Sequence, residues 1–184
     1  MLMRYILGFL LAISALGQNT PAVNAPLATY WPLGSVPAWV KVTVSNSSTN
    51  LTVTCVGPAS FTGICGTSPV AKAGATTQSV VLATPGASFV LDNCIIKSGT
   101  AFTGPTTLTA TVGITGTPTG CVSVAYNLEA AVSVTNFGLP TVATSAVSTN
   151  GTDAVILALT TTVQNVSGIS AGSVTVWLRL VLLP

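Results

Sequence analysis

From residue 38 onward, apolar and polar positions alternate with a period of two, the signature of strands that bury one face. Val40, Val42 and Val44 share a face, with Lys41, Thr43 and Ser45 opposite. Asn46-Ser47-Ser48-Thr49-Asn50 reads as a turn, and Leu51, Val53 and Cys55 open the next alternation. Further strands are predicted near 76–83, 87–96 and 106–114, the last with Leu108, Ala110, Val112 and Ile114 in register. The longest alternation runs Val122, Val124, Tyr126, Leu128, Ala130, Val132, Val134. It exceeds an ordinary strand, so a bend or a change of sheet is expected near Glu129. Asn136-Phe137-Gly138-Leu139-Pro140 should then break it. Strands at 153–164 (Val155, Leu157, Leu159, Val163) and 173–183 (Val174, Val176, Leu178, Leu180, Leu182) complete the set. Roughly eight to ten short strands between Gly- and Pro-rich turns imply an all-β fold, an immunoglobulin-like or jelly-roll β-sandwich.

The last strand departs from simple alternation. Trp177, Val181 and Leu183 lie opposite Leu178 and Leu180, so both faces are apolar. Strands of that kind are buried on both faces, and a tail or a neighbouring subunit is expected to cover the outer one.

Two segments precede the β domain, which spans 38–184. Residues 1–17, MLMRYILGFLLAISALG, place Arg4 before an apolar run from Ile6 to Leu16. Ala15-Leu16-Gly17 supplies the small residues of a cleavage site, the layout of a secretory signal peptide. The run is shorter than the roughly 20 residues a membrane-spanning helix needs. Export is expected, with a mature start near Gln18; a cut after Ala25 is disfavoured by Pro26. An extracellular, cell-surface location with no membrane association after cleavage follows. Residues 18–37 form an extended tail punctuated by Pro21, Pro26, Pro32 and Pro37. Proline fixes φ and removes a backbone donor, so no helix crosses this stretch. Its apolar residues (Val23, Leu27, Tyr30, Trp31, Leu33, Val36) are costly to leave in water, so the tail should dock, as a candidate donor strand.

Composition narrows the function. Of 184 residues only 4% are charged, none is His, and 49% are hydrophobic; an ordinary domain is about 25% charged. After the leader, Lys41, Lys72, Lys97 and Arg179 face Asp92, Glu129 and Asp153. So few cations cannot track a nucleic-acid backbone, and so few titrating groups make stability nearly independent of pH. Low charge also removes the repulsion that keeps proteins apart. Catalysis needs a nucleophile with a base in reach; the acids are scattered, and no enzyme or cofactor is expected. No Asp-rich loop offers calcium ligands. A Lys–Asn isopeptide cross-link would need Lys and Glu on the core face, whereas Lys41 and Glu129 both fall in the polar phase.

Cys55, Cys65, Cys94 and Cys121 permit three pairings. In an exported chain they are expected as disulfides, Cys55–Cys65 closing a turn-rich segment and Cys94–Cys121 joining neighbouring strands. Zinc spacing is absent. Asn46, Asn50, Asn150 and Asn165 head N-x-[ST] sequons and are candidate N-glycosylation sites. The threonine clusters (Thr106, Thr107, Thr109, Thr111; Thr160, Thr161, Thr162) fit ordinary strand preference as well as a flat ligand-binding sheet.

In layout, the leader, the uncharged tail 18–37 and the Ser/Thr/Val-rich β domain with sequons resemble the subunits of archaeal extracellular filaments of the thread or bundling-pilus type. That resemblance implies a sandwich completed by the N-terminal strand of the adjacent subunit, in a head-to-tail homopolymer bearing N-linked glycans. The expected groove contacts pair Tyr30, Trp31 and Leu33 with Trp177, Val181 and Leu183. The four cysteines are not part of the resemblance. The alternatives are a monomeric or envelope-attached immunoglobulin-like adhesin or binding module, and a viral coat subunit. An outer-membrane barrel lacks its aromatic girdles here.

Overall fold

The computed structural model describes residues 37–57, 65–66, 68–86, 89–130, 134–138, 147–148 and 152–182. The expected leader, the tail through Val36, Asn150 and Leu183 lie outside the described residues.

Among the described residues eleven strands form two antiparallel sheets. They are β1 (Pro37–Ser47), β2 (Asn50–Val56), β3 (Val70–Ala71), β4 (Thr77–Ala83), β5 (Phe89–Thr103) and β6 (Leu108–Ile114). β7 (Thr117–Asn127), β8 (Val134–Gly138), β9 (Val147–Ser148), β10 (Val155–Thr161) and β11 (Ala171–Leu182) follow. The larger sheet runs β3-β2-β1-β11-β5-β8, with β9 also on β5, and the smaller runs β4-β10-β6-β7. A 3₁₀ turn, Val166–Gly168, is the one helical element among the described residues, and no helix there is long and apolar enough to cross a membrane. The all-β sandwich read from the alternation is the fold observed.

One core cluster draws on both sheets. Val40, Val42 and Val44 meet Leu178, Leu180, Leu157 and Leu108, all of them at most 1% exposed. The alternation located these faces because successive strand side chains point to opposite sides. Burying each such side chain contributes about 1.5–3 kcal/mol.

Both expected disulfides are present, Cys55–Cys65 and Cys94–Cys121, with Cα separations of 5.9 and 6.2 Å. Cys94 on β5 and Cys121 on β7 belong to different sheets, so this bond fastens the sandwich across its core.

Several predicted boundaries are corrected. The turn at 46–50 contracts to Ser48-Thr49, because Ser47 and Asn50 already pair across the hairpin. Ser48 takes φ +36°, the left-handed backbone that two-residue hairpin loops demand. The strand foreseen at 87–96 runs on to Thr103. Val163 is 73% exposed, since β10 ends at Thr161. Val124 leaves the buried face and is 70% exposed. Between the pairs Ala110↔Tyr126 and Val112↔Val122 the ladder is irregular, and the extra residues of β7 loop outward there.

The change of sheet expected near Glu129 does occur. β7 lies in the smaller sheet and β8 in the larger. Leu128 stands at the crossing: its N–H donates to the Leu108 carbonyl of one sheet, and its carbonyl accepts from Phe102 N–H of the other, both at 2.9 Å. Asn136–Gly138, the described part of the segment read as a break, instead belong to β8, paired with β5 from Cys94 to Lys97. The polar Asn-Phe-Gly composition suited a turn locally, but an open ladder on β5 outweighs local preference.

Candidate assembly surface

No group of three or more His, Cys, Asp or Glu converges among the described residues. Arg179 pairs with Asp92 at 3.1 Å, both about a third exposed, a contact worth at most ~1 kcal/mol. Glu129, placed by the alternation in the polar phase, follows β7 and keeps Oε1 buried without a hydrogen-bond partner among the described residues. Lys41 lies on the outer face, as its phase implied, with Nζ 6.0 Å from the Trp177 ring centre. Lys72 is the lysine beside an asparagine. Its Nζ donates to Asn46 Oδ1 at 2.9 Å and to the Ile169 carbonyl at 2.6 Å, while Asn46 Nδ2 donates to the Ser170 carbonyl at 2.7 Å. This knot ties the end of β1 to the loop before β11. Among the described residues Lys72 makes no ion pair.

The sequons therefore differ in setting. Asn46 sits at the end of β1 with both side-chain polar atoms engaged. Asn50 opens β2 half-buried, and Asn165 precedes the 3₁₀ turn, exposed and without a side-chain capping bond.

The two apolar faces of the last strand are real. β11 lies between β1 and β5, paired to both along its length. Trp177 is half-buried, Val181 is 1% exposed and the neighbouring Trp39 is 44% exposed. With both ladders of β11 occupied, no incoming strand can be added beside Trp177 or Val181. Trp177 can meet a partner only through its side chain on the outer face, and Val181 is already buried. Alternation reports which way a side chain points; it carries no record of what flanks the backbone.

An open backbone lies elsewhere, on β4. This strand pairs with β10, in the register Thr77↔Thr160, Gln78↔Leu159, Ser79↔Ala158, Val80↔Leu157. Thr161 N–H donates to the Thr76 carbonyl at 2.8 Å. Hydrogen-bonded partners alternate along an antiparallel ladder, so Gln78 and Val80 also address β10. Thr77 and Ser79 turn their N–H and C=O groups to the opposite edge. Among the described residues that edge is touched from Val81 onward, where Gly66 packs against the Val81 carbonyl, Cys65 bridges Ala83 and Gly66 N–H donates to the Leu82 carbonyl at 3.0 Å.

A shallow groove of about 450 Å³ begins at this edge and crosses the outer face of the smaller sheet, lined by Thr77, Ser79, Thr111, Pro118, Ala158 and Thr160. The threonine clusters thus have two roles. Thr160 stands between Thr77 and Thr109 in the ladders and faces the groove, whereas Thr107 and Thr162 bond each other through their hydroxyls.

No protein-family model matches the chain, and no curated protein matches it. Among solved structures, the chain is similar to one described as "Cyanophage Pam1 capsid asymmetric unit", at 19% identity and a TM-score of 0.43, covering 84% of this chain and 89% of that one.

Proposed function

We propose that the chain is an exported structural subunit that polymerises head to tail, the 18–37 segment of one copy adding a strand to an open sheet edge of the next. The edge of β4 at Thr77–Ser79, uncovered among the described residues, carries this reading. Edge strands are ordinarily blunted by charge, proline or a covering element. The sequence of β4, TQSVVLA, contains neither a charged residue nor a proline. Such an edge accepts an extended segment through backbone hydrogen bonds, and a contact between two different surfaces repeats without closing. The uncharged, apolar tail is the segment suited to it, and the near absence of charge removes the repulsion that would oppose contact.

Deletion of residues 18–36 tests the reading. Negative-stain images should show filaments for the full chain and dispersed particles for the truncated one. Filaments from the truncated protein, or a full chain that stays monomeric at high concentration, refute it.

A further inference from the structure

We infer that residues Thr29–Trp31 of a second copy pair antiparallel with Thr77–Ser79 of β4 and lay Trp31 into the hydroxyl-lined groove. The inference rests on the assembly reading above and adds the edge, the register and the direction.

The prolines select the segment. Pro26 and Pro32 bracket five residues that all carry N–H groups, Leu27-Ala28-Thr29-Tyr30-Trp31. In a strand, alternate residues direct their backbone groups to the same side. Pro26 and Pro32 are separated by an even number of positions and so address one side, together with Ala28 and Tyr30. Leu27, Thr29 and Trp31 address the other. A strand through 27–31 can therefore bond the open length of β4 through Thr29 and Trp31 while both prolines face the open side, the position in which an edge strand tolerates proline. The other windows, 22–25 and 33–36, are shorter.

The acceptor fixes the direction. Thr77 and Ser79 turn their backbone groups to the open edge and their side chains to the outer face, where both are exposed. Hydrogen-bonded partners in an antiparallel pair share a face, so antiparallel docking sends Leu27, Thr29 and Trp31 outward. With Thr29 opposite Ser79, Trp31 stands beside Thr77 at the mouth of the groove. Its ring reaches the diagonal neighbours, and its indole N–H meets threonine hydroxyls, as a buried tryptophan requires. Parallel docking would shift the pairing by one residue and turn the same side chains inward. There Val80 and Leu82 are already 0% exposed, and a close-packed interior has no space for an added indole. The six steps from Trp31 to Pro37 then bridge to the donor's own β1, a reach of at most about 20 Å at ~3.3 Å per residue, so adjacent domains must abut.

The test uses the full chain, Trp31→Ala as a defective donor and Ser79→Pro as a defective acceptor. The Ser79 N–H faces away from β10, so proline there leaves the β4–β10 ladder intact. Each variant alone should assemble at least about tenfold more weakly, the loss expected for a buried aromatic anchor or a blocked edge, while retaining a cooperative melt. Mixed in equal amounts they should yield a discrete heterodimer, because each supplies the half that the other lacks. Hydrogen exchange gives a readout free of mutation: the Thr77 and Ser79 amides should be protected in the polymer and unprotected in dilute monomer. Should Ser79→Pro fail to fold, this exchange comparison decides. Normal assembly by Ser79→Pro, or unprotected amides in the polymer, overturns the β4 assignment and leaves tail-mediated assembly standing. Protected amides in a persistent monomer assign the edge to the chain's own arm and overturn it as well. A full chain that never assembles removes both proposals.

Discussion

The Tyr126 hydroxyl lies 3.2 Å from Ser98 Oγ and 3.3 Å from the Ser98 amide nitrogen, a polar contact between β7 of one sheet and β5 of the other. Ser98 is 0% exposed, and a buried polar group left without a partner costs about 1–3 kcal/mol. Tyr126→Phe removes only the hydroxyl and keeps the ring. It should lower stability by about 1–2 kcal/mol, read as a shift in denaturant midpoint at unchanged slope. A midpoint equal to wild type would show that the contact contributes nothing net.

The two disulfides should respond differently to reductant. Cys94 and Cys121 are 0% and 3% exposed, whereas Cys65 is exposed and Cys55 half-buried. Mass spectrometry with thiol trapping should find Cys55–Cys65 reduced first. The Cys94–Cys121 bond closes the longer loop, with a separation of 27 residues against 10. Replacing that pair by alanine should cost about 3 kcal/mol or more, and more than replacing the other pair.

Gly172 has φ +122°, and a Cβ placed there would lie 2.4 Å from Cγ of Phe102, a ring only 2% exposed. Gly172→Ala therefore combines an unfavourable backbone conformation with an overlap inside the core. A loss of more than about 2 kcal/mol is expected, measured by thermal or denaturant unfolding. The same change at Gly74, which has nothing within 4 Å and no positive φ, should stay within about 0.5 kcal/mol and serves as the control.

Glycan occupancy should follow the setting of each asparagine. Asn165 is exposed, while Asn46 Nδ2, the atom a glycan would modify, is bonded to the Ser170 carbonyl at 2.7 Å. Glycopeptide mapping of the protein from its native source should find higher occupancy at Asn165 than at Asn46. Lys72→Met should narrow the gap by loosening the knot that holds Asn46.

Much of this architecture is legible in the sequence for a definite reason. Period-two alternation reports which way each side chain points, so Val40, Val42 and Val44, and Leu108, Ala110 and Val112, could be assigned to the core before any neighbour was known. Local spacing likewise suggested both disulfides. The length of the Val122–Val134 alternation announced a change of sheet, because one strand seldom runs so far. What stayed hidden depends on partners remote in sequence. Whether β11 is central or at an edge, whether Asn136-Phe137-Gly138 turns or pairs with β5, and which strand keeps open N–H and C=O groups are settled by ladders between distant segments. Hydrogen bonding across a sheet lies at right angles to the direction that alternation encodes. The chain alone therefore set its strand faces, while tertiary pairing decided that Trp177 stands on a closed strand and Ser79 on an open one.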